Sequence, residues 1–420
     1  VIIRFYRLAE RLSELAEIFY GEPSRNMQTV AVTGTNGKTS TAHFVTQLGQ
    51  LLGNKWGLIG TLGAGFLDNM NETANTTPEA VTMHRILATV KADGADAVAF
   101  EASSHAMVQN RIKQLHTDVA IFTNLSRDHL DYHGDMEEYA KAKRQLLQQP
   151  GLRFMILNMQ DPEHKNWLPL LPESVTPIFF GIDAETPKNA QYCIARSIKY
   201  SNQGVEFTLD SSWGQTSVKS CLLGHFNVAN LIAAISAQLC LGADFTDLQK
   251  CIGNIKPVPG RMELFRSQSS ATFVVDYAHT PDALENVLTS LKTHTTGDLW
   301  CVFGCGGERD QGKRPLMGKA AESLADKIIL TSDNSRSEQT QNIIDDILSG
   351  LSEQSRQNSA FVQVIPDRQE AVQAALHQAR KSDMVVLAGK GHENYQIIDG
   401  QTLSYDERTY LKSLLQEGER

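Results

Sequence analysis

The sequence predicts an α/β protein with two domains, each built on a mostly parallel sheet. Two series of short apolar runs alternate with helix-like stretches, a pattern typical of parallel strands joined by crossover helices. Between the two series, residues 256–260 contain two prolines and a glycine, which interrupt both patterns. A glycine loop at 34–39 separates an apolar run from a helix-like stretch. We therefore expect a central domain at 27–256 and a C-terminal domain at 257–420.

The segment before the first series has its own helix-like pattern. Leu8, Leu12, Leu15, Ile18 and Phe19 recur at helical spacing, and the pattern ends at a glycine and a proline. We interpret residues 1–26 as a linker that follows another domain.

The first series predicts strands from short apolar runs and helices from longer periodic stretches. The strands are expected at 29–33, 55–59, 97–101, 119–123 and 154–158. The helices are expected at 42–52, 78–92, 136–148 and 223–241. Short alternating segments bounded by turn residues predict appended β-hairpins at 194–200, 204–209 and 216–222.

The second series repeats the alternation. Strands are expected at 271–276, 299–304, 328–331, 361–364 and 384–388. Helices are expected to begin at Pro281 and at Asn342.

Composition excludes several classes of protein. The chain has 420 residues, 41% hydrophobic and 21% charged, which is typical of soluble globular proteins. A net charge of -9 argues against binding to nucleic-acid phosphates. No apolar run approaches the ~18 residues that a membrane-spanning helix needs. The six cysteines form no C-x-x-C pair, which favours reduced thiols and a cytoplasmic protein.

The glycine loop has the composition of a phosphate-binding loop. Gly34 and Gly37 precede Lys38 and Thr39, although Val32 stands where the usual eight-residue pattern has its first glycine. Backbone N–H groups and the start of the helix would face the phosphates. An ordinary glycine turn before a helix is the alternative that this spacing alone leaves open.

Further polar loops follow the ends of predicted strands, where open α/β sheets bind ligands. These loops are 101–105, 124–133, 276–282, 304–310 and 389–393. Each alone is typical of a surface loop, but together they predict a binding site. Carboxylate and imidazole groups near a phosphate loop indicate Mg²⁺ ligands or their neighbours.

Several segments resemble a known family. They are 34–39, 101–105, 123–133, 260–263, 276–282 and 389–393. In this order they are similar to the motifs of the Mur ligases of bacterial cell-wall synthesis, above all those that add the third residue of the stem peptide. The resemblance implies a P-loop ATPase-like central domain, a Rossmann-like C-terminal domain, and an acyl-phosphate intermediate made with ATP and Mg²⁺. It also implies an N-terminal domain that binds uridine diphosphate, which we expect to be absent from this sequence.

The resemblance also implies the nucleotide site. The loop residues assigned to ATP are Gly34, Thr35, Asn36, Gly37, Lys38, Thr39 and Ser40. Lys38 would contact the β- and γ-phosphates. Asn227 and Asn230 would lie beside the adenine. Arg261 and Asp276 would reach ATP from the C-terminal domain.

The metal and catalytic residues are assigned in the same way. Thr39 and Glu101 would hold one Mg²⁺, and His129 would serve a second ion. Lys143 matches a lysine that the family carries as a carbamate. The alternative is that Lys143 is an ordinary surface lysine beside Lys141.

Two substrate sites follow from the resemblance. The residues matched to the UDP-muramoyl-dipeptide are Thr76, Thr77, Ser103, Gln109 and Arg111. The residues matched to diaminopimelate are Arg309, Asp333, Asn334, Ser335, Arg336, Gly389 and Glu393. A guanidinium at Arg336 favours a carboxylate over the ammonium of lysine. Ser335 replaces a proline of the family motif, which predicts a looser loop. If the loop holds a φ that suits proline, Ser335→Pro is expected to be neutral or mildly favourable.

These assignments predict a cytoplasmic, monomeric ligase of peptidoglycan synthesis, with roles in cell shape and cell division, whose partners are small-molecule substrates. Three alternatives stay open: a lysine-adding ligase of the same family, a ligase like folylpolyglutamate synthetase, and a nucleotide-binding fragment without catalytic activity. Arg336 and the segments 76–78 and 103–105 argue against the folate enzyme.

Overall fold

The computed structural model describes residues 6–267 and 270–417. The chain forms two compact units. The first unit comprises the residues up to Lys199, Glu206–Ser220 and Phe226–Ile255. The second comprises Tyr200–Val205, Cys221–His225 and the residues from Lys256 onward.

An eleven-stranded sheet carries the first unit, in the order β11-β10-β9-β8-β7-β6-β1-β5-β2-β3-β4. The strands are β1 (Gln28–Thr33), β2 (Trp56–Gly60), β3 (Gly63–Phe66), β4 (Asn69–Asn71), β5 (Ala97–Glu101), β6 (Val119–Phe122), β7 (Phe154–Asn158), β8 (Thr176–Ile182), β9 (Gln191–Ser201), β10 (Gly204–Ser211) and β11 (Gly214–Ser220). In this order the neighbouring strands from β9 to β2 pair in parallel, whereas β3 and β4 add an antiparallel edge. The expected mostly parallel sheet is confirmed.

Helices cover this sheet. They are α1 (Leu8–Phe19), α2 (Lys38–Leu51), α3 (Ala80–Ala92), α4 (Ser104–Val108), α5 (Leu130–His133), α6 (Met136–Arg144), α7 (His164–Trp167), α8 (His225–Cys240) and α9 (Phe245–Ile252), with 3-10 turns at Pro23–Asn26, Gln145–Gln148 and Leu168–Leu170. Val30, Ala31 and Val32 of β1 are fully buried, as expected of a central parallel strand with both faces covered. Because β1, β2 and β5 are parallel neighbours, the loops that follow them lie at the same edge of the sheet.

The second unit has a six-stranded sheet in the order β12-β13-β17-β14-β15-β16 and a separate pair, β18-β19. The strands are β12 (Glu263–Phe265), β13 (Thr272–Asp276), β14 (Leu299–Phe303), β15 (Lys327–Leu330), β16 (Val362–Val364), β17 (Met384–Ala388), β18 (Tyr395–Ile398) and β19 (Gln401–Ser404). The helices are α10 (Pro281–Lys292), α11 (Lys313–Leu324), α12 (Thr340–Leu348), α13 (Glu353–Gln357), α14 (Arg368–Gln378) and α15 (Glu407–Glu417). The sheet is parallel except for β12.

The elements follow the sequence expectations closely in the cores and less closely at their ends. The strands expected at 97–101, 154–158 and 384–388 have those bounds. The helix expected at 42–52 starts earlier, at Lys38, because it begins directly after the glycine loop. The helix expected at 136–148 is α-helical only to Arg144 and continues as a 3-10 turn.

The region of the expected hairpins differs from the sequence expectation in one respect. β9, β10 and β11 succeed one another at one end of the large sheet, but β9 also pairs in parallel with β8. The appended strands thus extend the parallel sheet. Among the described residues, no helix is both long and apolar enough to cross a membrane.

Candidate active site

The glycine loop turns tightly between β1 and α2. Gly34 has a φ of +148°, and a Cβ there would clash with the Thr123 hydroxyl. Gly37 has a φ of +84°, and its Cβ would lie 2.5 Å from the Asn230 side-chain oxygen. A side chain fits at neither position, so the backbone itself lines the loop, as phosphate binding requires.

Two lysines converge on this loop. The Lys38 Nζ donates to the backbone oxygens of Gly34 (2.9 Å) and Thr35 (2.8 Å). The Lys143 Nζ donates to the same Gly34 oxygen, also at 2.9 Å. Lys143 is 1% exposed, whereas the Lys141 side chain is 66% exposed and pairs with Glu138. The interpretation of Lys143 as a surface lysine is therefore wrong.

The environment of Lys143 disfavours its charged form. Burial, and then the neighbouring charge of Lys38, hold the pKa of the Lys143 amine well below its usual value. The Lys143 Nζ lies 4.4 Å from the centre of the Tyr139 ring, and the Tyr139 hydroxyl is 3.2 Å from the Thr35 hydroxyl. A buried amine with a lowered pKa has the neutral form that nucleophilic chemistry requires.

His129 lies at the edge of this group. Its ring centre is 6.2 Å from that of Tyr139, and its Nε2 is 3.4 Å from Asp128. The His129 side chain is about half exposed, and its backbone has a φ of +53°. The structure thus places His129 beside the lysine-bearing helix α6.

Glu101 ends β5 and faces the start of α2. Its carboxylate accepts hydrogen bonds from the Thr39 hydroxyl (3.0 Å) and from the Thr61 backbone N–H (2.7 Å). The Thr61 hydroxyl also donates to Glu101, at 3.3 Å. Thr61 was missed from the sequence, where nothing marks it but its place just beyond β2.

The donor set at Glu101 fits Mg²⁺. A carboxylate and a hydroxyl are hard oxygen ligands, and Mg²⁺ at phosphate sites usually takes only one or two carboxylates together with phosphate oxygens. Within 6–267 and 270–417, no three His, Cys, Asp or Glu side chains are grouped to hold a metal ion. A metal here would therefore depend on the oxygens of a bound nucleotide.

Helix α8 packs against the glycine loop. Asn230 accepts a hydrogen bond from the Thr41 hydroxyl (3.2 Å) and donates to the Asn227 oxygen (3.4 Å). Both asparagines are buried. On the other side of the loop, the Asn36 N–H donates to the Asn124 side chain at 2.9 Å. Ser40, in the first turn of α2, is also buried.

The residues matched to the acceptor lie together beside Glu101. The Thr77 hydroxyl donates to the Glu101 backbone oxygen (2.7 Å) and to Ser103 Oγ (3.1 Å). Arg111 donates to the Thr77 backbone oxygen (2.8 Å) and, through two nitrogens, to the Gln109 side chain (2.9 and 2.6 Å).

Thr76 completes this surface, with its hydroxyl 3.1 Å from that of Thr61. Glu101 contacts both sets of residues: its carboxylate contacts Thr39, and its backbone oxygen contacts Thr77. The two sets therefore form one continuous hydrogen-bonded network.

In the second unit, Arg261 and Asp276 lie at the end of β13. Asp276 accepts hydrogen bonds from the N–H groups of Met262 (2.7 Å) and Ala278 (2.8 Å). Burial raises the pKa of Asp276 despite the nearby Arg261 guanidinium. That guanidinium stacks 4.3 Å from the centre of the Tyr277 ring. Tyr277 gives Arg261 an aromatic platform that the motif comparison had not singled out.

The candidate amino-acid site surrounds the loop after β15. Arg336 has a φ of +54° and donates from its guanidinium to the Gly307 backbone oxygen at 2.7 Å. A Cβ on Gly306 would lie 3.1 Å from the Arg336 guanidinium and 3.7 Å from Arg309 Cγ. Side-chain atoms of both arginines therefore lie beside Gly306.

A buried lysine joins this loop to the loop after β17. The Lys390 Nζ donates to Asn334 Oδ1 (2.9 Å) and to Glu393 Oε2 (2.7 Å), and Asn334 Nδ2 donates to the same Glu393 oxygen (2.9 Å). Gly389 has a φ of +110°, and its Cβ would lie 2.8 Å from Asp333 Oδ2. The motif at 389–393 contains Lys390, but the motif could not predict that the lysine side chain is buried.

Ser335 is held more firmly than the sequence implied. It is 1% exposed, its N–H donates to the Asp333 oxygen (3.1 Å), and its hydroxyl lies 2.7 Å from that of Thr340. A proline at this position would lose both interactions. The response of this loop to a proline at position 335 therefore stays a prediction.

We expect Ser335→Ala to lower the free energy of unfolding by about 1 kcal/mol, because it removes one hydrogen bond. Ser335→Pro should lower it by roughly 1–3 kcal/mol, since the N–H is lost as well. Chemical denaturation of the two variants and the parent measures this order. A proline variant at least as stable as the parent would show that neither interaction matters.

Comparison with known proteins gives the following matches. The Mur ligase middle domain matches residues 32–238, and the domain described as "Mur ligase, glutamate ligase domain" matches residues 260–391. The UDP-N-acetylmuramoyl-L-alanyl-D-glutamate--2,6-diaminopimelate ligase of Haemophilus influenzae (strain 86-028NP) is 42% identical over 407 residues. That alignment covers 97% of this chain and 82% of the relative.

Solved structures agree. A structure of a UDP-N-acetylmuramoyl-L-alanyl-D-glutamate--2,6-diaminopimelate ligase matches with a TM-score of 0.75 and 37% identity, over 98% of this chain and 83% of that one. Folylpolyglutamate synthase of Mycobacterium tuberculosis, complexed with ADP and AMPPCP, matches with a TM-score of 0.69 but 17% identity, over 90% and 91% of the two chains. The second match shows a shared fold alone.

Proposed function

The chain belongs to the Mur ligase family and is an ATP-dependent amide ligase, and we propose that it joins meso-diaminopimelate to UDP-N-acetylmuramoyl-L-Ala-D-Glu in peptidoglycan synthesis. The observation that carries this proposal is the position of Glu101. Its carboxylate accepts a hydrogen bond from the Thr39 hydroxyl of the phosphate loop. Its backbone oxygen accepts one from the Thr77 hydroxyl, in the group of residues matched to the acceptor. Glu101 thus contacts one residue predicted to bind the nucleotide and one predicted to bind the acceptor, which supports a transfer between the two.

The reaction needs two displacements. Oxygen of the acceptor carboxylate bonds to the γ-phosphorus of ATP and ADP leaves; the amine then bonds to the acyl carbon, inorganic phosphate leaves and the nitrogen loses a proton. Phosphoryl transfer between anions depends on positioning and charge neutralisation. Lys38, which binds two backbone oxygens of the loop, would exchange them for phosphate oxygens, which are stronger, charged acceptors.

Thr39 and Glu101 would hold Mg²⁺ together with nucleotide oxygens, and His129 would serve a second ion. The metal would supply positive charge at the phosphates. Thr39 Oγ and the Glu101 carboxylate lie 3.0 Å apart, which places two oxygen donors at one point at the start of α2.

Lys143 would act as a carbamate. The neutral amine forms an N–C bond with carbon dioxide and releases a proton, which leaves an anion in place of a neutral amine. The low pKa of Lys143 favours the reactive amine. The carbamate would also attract the Lys38 ammonium, whereas a charged Lys143 ammonium would be repelled by it. Lys143 is buried and contacts the Gly34 oxygen, which supports Lys143 as the carbamylated residue in preference to an exposed lysine on α6.

The second unit would select the amino acid. Arg336 and Arg309 would bind the distal carboxylate of diaminopimelate, and Glu393 the distal ammonium. Lysine lacks that carboxylate and would leave the Arg336 guanidinium without its anionic partner. Asp333, Asn334, Ser335 and Gly389 would shape the same pocket. Asn227, Asn230, Arg261 and Asp276 remain predicted nucleotide contacts. A monomeric, cytoplasmic enzyme with roles in cell shape and division completes the proposal.

The direct test is a three-substrate assay of the full-length protein. Phosphate release should require ATP, the UDP-muramoyl-dipeptide and the amino acid together, and mass spectrometry should find the amide product. We expect kcat/KM for diaminopimelate to exceed that for lysine by about 100-fold or more. Equal use of lysine would favour the lysine-adding alternative, and glutamate addition to a folate would favour the other.

A further inference from the structure

The hairpin β18-β19 has no place in either large sheet. It forms a two-stranded sheet of its own, and every residue of β19 is exposed. Its turn contains Asp399 (φ +50°) and Gly400 (φ +72°), the left-handed pair typical of a tight two-residue hairpin turn. An isolated two-stranded hairpin is marginally stable in water, so its conformation depends on what it contacts.

The inner strand of this hairpin is bonded to the loop after β15. Gln396 Nε2 donates to Ser332 Oγ (2.8 Å) and to the Asp333 backbone oxygen (3.2 Å). The Ile397 N–H donates to Asn334 Oδ1 at 3.0 Å. Gln396 is 7% exposed on a hairpin that is otherwise mostly open to solvent. Both of these Gln396 hydrogen bonds go to the loop after β15, which places the buried amide to fix that loop.

The same hairpin fixes the backbone of Arg336. The Arg336 N–H donates to the Ile397 oxygen (3.0 Å), and the Gly400 N–H donates to the Arg336 oxygen (2.9 Å). Arg336 itself has a left-handed φ of +54°, which a residue with a Cβ rarely adopts without support. The hairpin therefore bonds both backbone polar groups of the residue that carries the guanidinium.

We infer that the hairpin β18-β19 determines amino-acid specificity, with Gln396 as a positioning residue that holds Arg336 in its left-handed conformation. This inference rests on the proposed function, because it presumes that Arg336 binds the distal carboxylate. Gln396 would touch no substrate. It would act by keeping the 332–336 loop in the one conformation that aims the guanidinium.

The test compares Gln396→Met with Gln238→Met. Methionine keeps the volume and removes the amide. Gln238 is a matched control, because it is 3% exposed and donates to one backbone oxygen, that of Val45, at 2.8 Å in the first unit. Gln396→Met should raise KM for diaminopimelate about 10-fold. The ratio of kcat/KM for diaminopimelate to that for lysine should fall by the same factor, and KM for ATP should not change. Gln238→Met should leave the amino-acid KM and the preference as they are.

Gly400→Ala provides a second variant if Gln396→Met does not fold. A Cβ on Gly400 meets nothing within 4 Å, so the change strains only the turn; Gly242 (φ +94°) is equally open and serves as its control. A diaminopimelate KM that stays constant in both hairpin variants, while Arg336→Ala raises it, would overturn the inference and leave the proposed function standing. An Arg336→Ala variant without effect on diaminopimelate would also overturn the inference, because its premise would be lost, whereas the proposed function would still be decided by the three-substrate assay.

Discussion

Lys143→Ala should reduce kcat of the ligase about 10²- to 10³-fold or more, the loss typical of one charged group removed from a transition-state site. The Lys143 Nζ donates a hydrogen bond to the Gly34 backbone oxygen, and the side chain is buried, so solvent does not replace it in the parent protein. The matched control is Lys141→Ala on the same helix, whose exposed ammonium only pairs with Glu138. That variant should keep the parent rate, because exposed ion pairs contribute little.

Rescue of Lys143→Ala by small molecules can distinguish two chemical forms of Lys143, the carbamate and the ammonium. If the active form is a carbamate, small carboxylates such as acetate or propionate should restore part of the Lys143→Ala rate, and high bicarbonate should raise the parent rate. If the active form is the ammonium, small amines should rescue instead. Phosphate release across a concentration series of each additive distinguishes them. Full activity of Lys143→Ala without any additive would remove Lys143 from the reaction.

Helix α6 shows what the sequence could have revealed about Lys143. Tyr139, Ala140 and Lys143 are all buried, and their spacing of three and four residues places them on one helical face. Lys141 falls outside that face and is exposed. Periodicity alone could thus have separated the two lysines. The shared contact with Gly34 could not have been foreseen, since it depends on how α6 packs against the loop.

The cores of both sheets were predictable because buried parallel strands are short apolar runs between turn residues, as at 97–101 and 384–388. The hairpins β3-β4 and β18-β19 were missed for the opposite reason. β3 contains Gly63 and Gly65 and β4 is Asn-Met-Asn, residues that are poor strand formers apart from methionine. β19 is exposed throughout and has no apolar alternation to find.

The contacts missed at the candidate site come from strand register. β2 pairs with β5 so that Ile59 lies opposite Phe100, and Thr61 therefore falls beside Glu101, 40 residues away along the chain. Lys390 and Gln396 likewise meet the 332–336 loop only through tertiary packing. Motifs identified the residue types at these loops, whereas the bonding between the loops required the fold.

Arg336→Ala should lower kcat/KM for diaminopimelate about 10- to 150-fold, while the rate with lysine changes little. A charge-assisted bidentate contact contributes roughly 1.5–3 kcal/mol, at ~1.4 kcal/mol for each factor of ten. Arg336→Lys should recover only part of the loss, because an ammonium lacks the planar fork of a guanidinium.

The backbone of Arg336 needs its own control, because its φ is +54° and alanine is strained in that conformation. Arg336→Asn removes the guanidinium but tolerates the left-handed backbone, so it should lose as much as Arg336→Ala if the side chain carries the effect. Steady-state kinetics with diaminopimelate and lysine measure all three variants. Near-parent specificity in Arg336→Asn together with a loss in Arg336→Ala would mean that the loop conformation, and not the guanidinium, selects the amino acid.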